Sequence, residues 1–277
     1  MNTITRTAEN ATRTAITFKK VLFFIVTFFI CTQNFAQGAT DWPLEKMPVD
    51  LETDYALSAL PPHLRNDATV YLLDPQKGYY VGRQGSNGYI CFISRTEWEW
   101  NEFRNDIITP ISYDAEGASS IFPIYMAVAA MRASGKYKAT QIRDTIIQRI
   151  ETGFYKAPSK PGMSYMLAPV MRVIPGNPPE VTEPITISMP HYMLYAPYLT
   201  EENARFKKGT DGLMLANPDN AILGNGKGPY GYVIVPASEK EKAVIVDDGK
   251  DLLKRLVAYK AYFRTETGSA HHHGPQM

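Results

Sequence analysis

The chain has 277 residues, 29 basic and 28 acidic side chains, and a formal net charge of +1. A content of 44% hydrophobic and 21% charged residues describes a globular chain and excludes a disordered one. Near-neutral charge lacks the electrostatic footprint of a nucleic-acid binder, and 2 Cys with 5 His restrict both metal and nucleophile chemistry.

Residues Val21 to Thr32 are uncharged and mostly apolar, follow Lys19 and Lys20, and lead to Ala36. A basic start, a short apolar run and a small residue at the end match a secretory signal peptide over residues 1–36. The run is short of the roughly 20 apolar residues a spanning helix needs. Cleavage is expected after Ala36, with Ala39 as the second choice. Cys31 is a poor lipidation site because Ile30, a bulky residue, precedes it. Removing 36 residues that carry four basic and one acidic group leaves 241 residues with 25 basic and 27 acidic groups, net −2. Cys91 is then the only cysteine, so the exported chain, periplasmic or secreted, must rest on its hydrophobic core and not on an internal disulfide. The same inventory leaves no stable membrane span after cleavage and no nucleic-acid partner.

Residues 37–60 show no clear period and read as a lead-in segment, closed by Pro61-Pro62. From residue 68 to 95 three β-rich runs are separated by Pro75-Gln76-Lys77-Gly78 and Gly85-Ser86-Asn87-Gly88. Asn-Gly between such runs is a strong hairpin signal, so a three-stranded antiparallel meander is expected. Helices are expected from Ser119 or Ser120 to Ser134, with Gly135 as the stop, and from Ala139 to Thr152. The second carries an apolar stripe of Ala139, Ile142, Ile146, Ile147 and Ile150. Two β-type stretches follow, Ser164 to Ile174 and Ile185 to Tyr195. A short helix runs from Thr200 to about Gly209, and a strand from Tyr232 to Pro236. A last helix opens at Asp248 and Asp251 and buries Leu252, Leu253, Leu256 and Phe263. The expected fold is a single α+β domain over residues 61–265, a mainly antiparallel sheet with four helices on one side, followed by a disordered tail at 266–277.

Residues Gly226 to Gly231 match GxGxxG, but they run into a strand and contain Pro229, so they read as a loop and not a pyrophosphate cradle. Walker A and HExxH patterns are absent, and Gly162-Met163-Ser164-Tyr165-Met166 lacks the second glycine of a nucleophile elbow. His271, His272 and His273 lie in the tail, which leaves His63 and His191 as the histidines of the body. A hydrolytic site would draw on His191 as base, Ser164 or Cys91 as nucleophile, and the Asp114/Glu116 pair. If residues 113–117 form the loop before a helix, the two carboxylates instead favour its positive end. Met189, His191 and Met193 would share one face of a strand and could bind Cu(I) as soft ligands, or simply fill a core. Cys91, in an apolar run, reads first as a core residue. Trp98, Trp100 and Phe103 alternate with Glu97, Glu99 and Glu102, either as a ridge that stacks on sugars or as a half-buried strand.

Four segments carry a resemblance: Asn87-Gly88-Tyr89-Ile90-Cys91, Tyr113-Asp114-Ala115-Glu116-Gly117, Pro161 to Leu167, and Pro190 to Pro197. They resemble segments of a family of exported bacterial proteins with no assigned activity, over most of residues 55–236. The resemblance implies a recurrent single domain and brings no catalytic role or cofactor. Two functions stay open: a hydrolase-like enzyme with a small-molecule pocket near His191, or a non-enzymatic periplasmic protein that binds a small ligand or copper.

Overall fold

The computed structural model describes residues 42–96, 98, 102–174, 183–199, 214–216 and 228–265. In chain order the described elements are α1 (Val49–Leu57), α2 (Pro62–Arg65), β1 (Thr69–Asp74), β2 (Gly78–Arg83), β3 (Ile90–Ser94), β4 (Thr109–Tyr113), α3 (Ala115–Ser120), α4 (Phe122–Ala133) and α5 (Ala139–Glu151). Then come β5 (Met163–Met166), β6 (Met171–Val173), β7 (Ile185–Ile187), β8 (His191–Tyr195), β9 (Met214–Ala216), β10 (Tyr232–Pro236), α6 (Glu239–Asp248), α7 (Lys250–Tyr259) and a 3₁₀ turn at Ala261–Phe263. The signal peptide, the helix expected from Thr200, Trp100 and the histidine tail lie outside the described residues. No helix among the described residues is long and apolar enough to cross a membrane.

The α+β class holds, with sheets that are mostly antiparallel. Strand β3 explains the layering. All five of its residues are buried, and successive side chains point to opposite faces. Ile90 and Phe92 enter one core with Tyr79, Phe122, Ile142 and Ile146. Cys91 and Ile93 enter a second core with Leu51, Tyr55, Leu256 and Phe263. Helices α4 and α5 therefore cover one face of the first sheet, and α1 and α7 the other. The expectation of helices on one side is corrected: a strand that is apolar on both faces needs cover on both. Phe92 anchors the first core, 4.7 Å from Phe122, 5.0 Å from Tyr125 and 5.4 Å from Tyr79, ring to ring.

The first sheet has the order β2-β1-β3-β4, and β1 pairs with β3 in parallel. The meander is thus replaced by a hairpin, β1–β2, whose next strand lies on the far side of β1. Residues 84–89 do not form a tight hairpin; they pass around the start of β1. Ser86 and Asn87 amides donate to the Asp67 carbonyl at 2.7 and 3.1 Å, and the Asn87 side chain donates to the Leu64 carbonyl at 2.8 Å. Gly85 is required there, since a Cβ would run into the Asp67–Thr69 backbone.

Residues 42–60 are also corrected. They hold α1, whose Leu51, Tyr55 and Ala56 are buried in the second core with Met47 and Leu60. The Tyr55 hydroxyl donates to the Val170 carbonyl at 2.9 Å. Helices α4, α5 and α7 lie where the periodicity placed them, while α1, α2, α3 and α6 were not anticipated. Each long β-type stretch breaks into two short strands, at Pro169 and at Pro190, because proline cannot donate to a ladder.

The second sheet, β5-β8-β10-β9, is antiparallel throughout. Its inner face puts Met166, Met193, Tyr195 and Ile234 into the first core. A two-stranded ribbon, β6–β7, completes the fold.

Candidate functional site

Strands β4 and β5 run side by side at the junction of the two four-stranded sheets, joined largely through side chains. Ser164 donates to the Ser112 carbonyl at 2.5 Å. The Ser112 hydroxyl donates to the Tyr165 carbonyl at 3.0 Å and accepts from the Tyr165 amide at 3.1 Å. Asp114 closes the seam. One carboxylate oxygen accepts from the Met163 amide at 2.8 Å, and the other from the Gly117 amide and the Tyr195 hydroxyl, both at 2.9 Å. Burial first, then the Asp114 charge, pushes the Tyr195 hydroxyl well above its usual range and keeps it a donor. Cβ atoms at Gly117 or Gly162 would meet Tyr195, and at Gly162 also Asp114. Residues 113–117, 161–167 and 190–197 meet in this junction.

Asp114 is the N-cap of α3, and the carboxylates do sit at a helix start, but the helix takes in residues 115–117, which the helix-start alternative left as a loop. Glu116, in the first turn, accepts from the Ser159 amide and, at 3.0 Å, from the Ser159 hydroxyl. These bonds, the backbone one foremost, hold its carboxyl below the usual range. Both carboxylates are thus spent on fastening neighbouring segments, Asp114 on β5 and the start of α3 and Glu116 on the loop at Ser159.

The remaining candidates are not brought together. Ser164 is fully buried and committed to Ser112. Cys91 is also fully buried. Its Sγ lies 3.6 Å from the Thr69 carbonyl, and burial pushes the thiol up to about 12, so no thiolate nucleophile forms at neutral pH. His191 is buried, and its Nδ1 lies 2.8 Å from the Met189 carbonyl. Burial lowers its pKa and favours the neutral ring. His191 makes no hydrogen bond to Ser164, Cys91, Asp114 or Glu116. His63 is exposed on α2.

The expectation that Met189, His191 and Met193 share one strand face holds for His191 and Met193, on the buried face of β8, and not for Met189. β8 begins at His191, and Met189, in the irregular segment before it, has its carbonyl against the imidazole Nδ1. Met193 lies in the first core beside Met166 and Met171, which is the core-filling alternative. No group of three or more His, Cys, Asp or Glu able to hold a metal occurs among the described residues. Trp98 is buried, and Phe103 lies under the Arg132 guanidinium at 4.9 Å. Neither belongs to an exposed sugar-stacking ridge.

Two hollows open among the described residues, away from His191, Ser164 and Cys91. A groove of about 540 Å³ runs between α1–α2 and α6–α7, floored by Leu57, Leu167, Pro169 and Leu252. Its size suits a small ligand. Charged side chains rim it: Asp54, Arg65, Glu241, Asp248 and Arg255. Arg255 is taken by Asp54 at 2.5 Å and Asp50 at 2.9 Å, and Glu241 accepts from the Tyr192 hydroxyl. A shallower hollow of about 410 Å³ holds Asp114, Glu116 and Lys160 beside Asn87 and Tyr89. Tyr89, Tyr165 and Tyr192 form a row between the two hollows, with ring centroids 5.9 and 5.7 Å apart. Neither hollow is lined by His191, Ser164 or Cys91.

Two features depend on contacts between residues distant in the chain. The groove joins residues 54–66 to 241–255, and nothing in their spacing announces that meeting. Glu52 is 1% exposed where β1 and β3 diverge, and accepts from the Leu73 amide at 2.8 Å. Burial pushes its carboxyl up to about 7. Tyr55 and Ala56, three and four residues on, are the local apolar signal beside it, too short to set a clear period.

Compared with family models, curated proteins and solved structures, the chain matches none of them.

Proposed function

We propose that the chain is exported and acts as a non-enzymatic binding protein, taking a small ligand in the groove between α1–α2 and α6–α7. One observation carries this reading. The described pocket with both an apolar floor and a charged rim is lined by none of the candidate nucleophiles or bases, while Ser164, Cys91, His191, Asp114 and Glu116 are engaged in bonds that hold the fold. A hydrolytic mechanism asks for a base within reach of a nucleophile or of a water it can activate, and His191 makes no such contact.

The test is a thermal-shift screen of the full chain against small amphipathic molecules, run beside Val244→Trp. Val244 lines the groove and is 53% exposed, so an indole there fills the groove without disturbing a core. A ligand class should raise the melting temperature of the parent chain and not of Val244→Trp, while His191→Gln and Ser164→Ala leave binding intact. Turnover of an ester or amide that disappears in either of those two variants would overturn the reading in favour of an enzyme.

A further inference from the structure

Charges around the groove are unequally satisfied. Arg255, Asp54 and Glu241 have partners across or beside it. Arg65 and Asp248 do not pair with each other or with any other charged side chain among the described residues within 4.0 Å. The Arg65 fork spends its Nε on the Leu60 carbonyl at 2.8 Å, which leaves its terminal nitrogens without a carboxylate. Desolvation lowers its pKa, and Asp248 acts on it through space in the opposite sense. A half-buried guanidinium without an anion is a site for one, since the fork matches a carboxylate in two parallel bonds. Asp248 ends α6, where the helix dipole disfavours a negative charge and a cation would relieve it. Leu57, Val244 and Leu252 line the same groove as Arg65 and Asp248.

From this charge pattern we infer that the groove takes a small zwitterion with an apolar body, a short peptide of apolar residues: its carboxylate on Arg65, its ammonium on Asp248, its side chains on the leucine floor. The inference rests on the proposed binding role of the groove. A polyanion is disfavoured by Asp54, Glu241 and Asp248 on the same rim, and a simple fatty acid would leave Asp248 unanswered.

Titration calorimetry on the full chain with three probes tests it: leucyl-leucine, its C-terminal amide, and its N-acetyl form. The free dipeptide should bind, with each blocked form at least about tenfold weaker, the scale of one charge-assisted bond. Arg65→Gln should bind the dipeptide and the amide alike, and Asp248→Asn the dipeptide and the acetylated form alike. Asp248 is exposed, so its variant reads out even if Arg65→Gln loses stability. Equal binding of all three probes, abolished by Val244→Trp, would overturn the zwitterion and leave the groove reading standing. Absence of binding by these probes and by every amphiphile in the thermal screen would overturn both.

Discussion

At Cys91 and Glu52 burial has opposite consequences for chemistry. The Cys91 thiol is held neutral, up to about 12, so iodoacetamide should leave it unmodified at pH 8 in the folded chain and alkylate it promptly in denaturant. Rapid labelling of the native protein would mean the second core opens at β3. Glu52 titrates near neutrality, raised from an ordinary 4.5 to about 7. The folded state then keeps a proton that the unfolded state has lost, so its stabilising contribution is full below pH 4.5 and lost as pH rises to about 7. A shift of that size corresponds to about 3 kcal/mol. His191 works in the other direction. Its folded pKa lies below the ordinary 6.5, so its contribution is full above 6.5 and is lost as pH falls from there through the lower folded value. Glu52→Gln should gain stability relative to the parent at pH 8 and little at pH 4.5, and His191→Gln should flatten the acid limb. Both are read from urea midpoints across pH. Parallel profiles for all three chains would refute the assignment.

Among elements, the contact of α3 with β5 and β8 is the most exacting. Asp114 satisfies the Gly117 and Met163 amides and the Tyr195 hydroxyl. Asp114→Ala strands those donors and should cost about 2–4 kcal/mol, from a lost cap plus unsatisfied buried groups. Gly162→Ala, which adds one methyl against Tyr195 and Asp114, should destabilise as well, by about 1–3 kcal/mol. Chemical denaturation measures both, and a neutral Gly162→Ala would show that Tyr195 has room to move. This element also shows why polar residues in β-rich runs were misleading. Ser112, Asp114 and Ser164 have the residue types of a catalytic cluster, yet their hydroxyls and carboxylate complete backbone bonds that a regular ladder would have made. That residues 113–117 lie at a helix start was legible; the cap at Asp114 and its bond to Met163, 49 positions away, were not.

For the whole molecule, what could be read in the chain were local patterns: the stripe of α5, the last helix around Leu256, the strand at 232–236, and the unbroken apolar run that makes β3 a buried strand. What could not be read were meetings across long separations. Asn87-Gly88 has the local chemistry of a hairpin, but the Asp67 carbonyl captures the preceding amides and sends the loop around β1. Residues 42–60 lack a strong period because α1 is covered along more than one side, by β1, β3, β4 and α7. Deleting residues 42–60 should therefore yield a chain without cooperative unfolding, since Tyr55, Ala56 and Leu60, all fully buried, leave the second core together. A cooperative thermal transition in that truncated chain would mean α1 is an accessory.

The stitched boundary between β4 and β5 carries a kinetic consequence. A hydroxyl or carboxylate can swing away from its partner by a rotation about χ1, whereas a ladder amide is released only when its strand moves. The amides of Tyr165 and Met163 are held there by Ser112 and Asp114 side chains, while those along β8 and β10 lie within a paired backbone ladder. Under native-state hydrogen exchange the amides along the boundary should exchange first, as a sub-global opening of lower free energy, and those of β8 and β10 later. Uniform exchange at the global rate would instead make the two sheets one cooperative unit. On this account the protein has a built-in line of parting, placed where its most chemically suggestive residues lie.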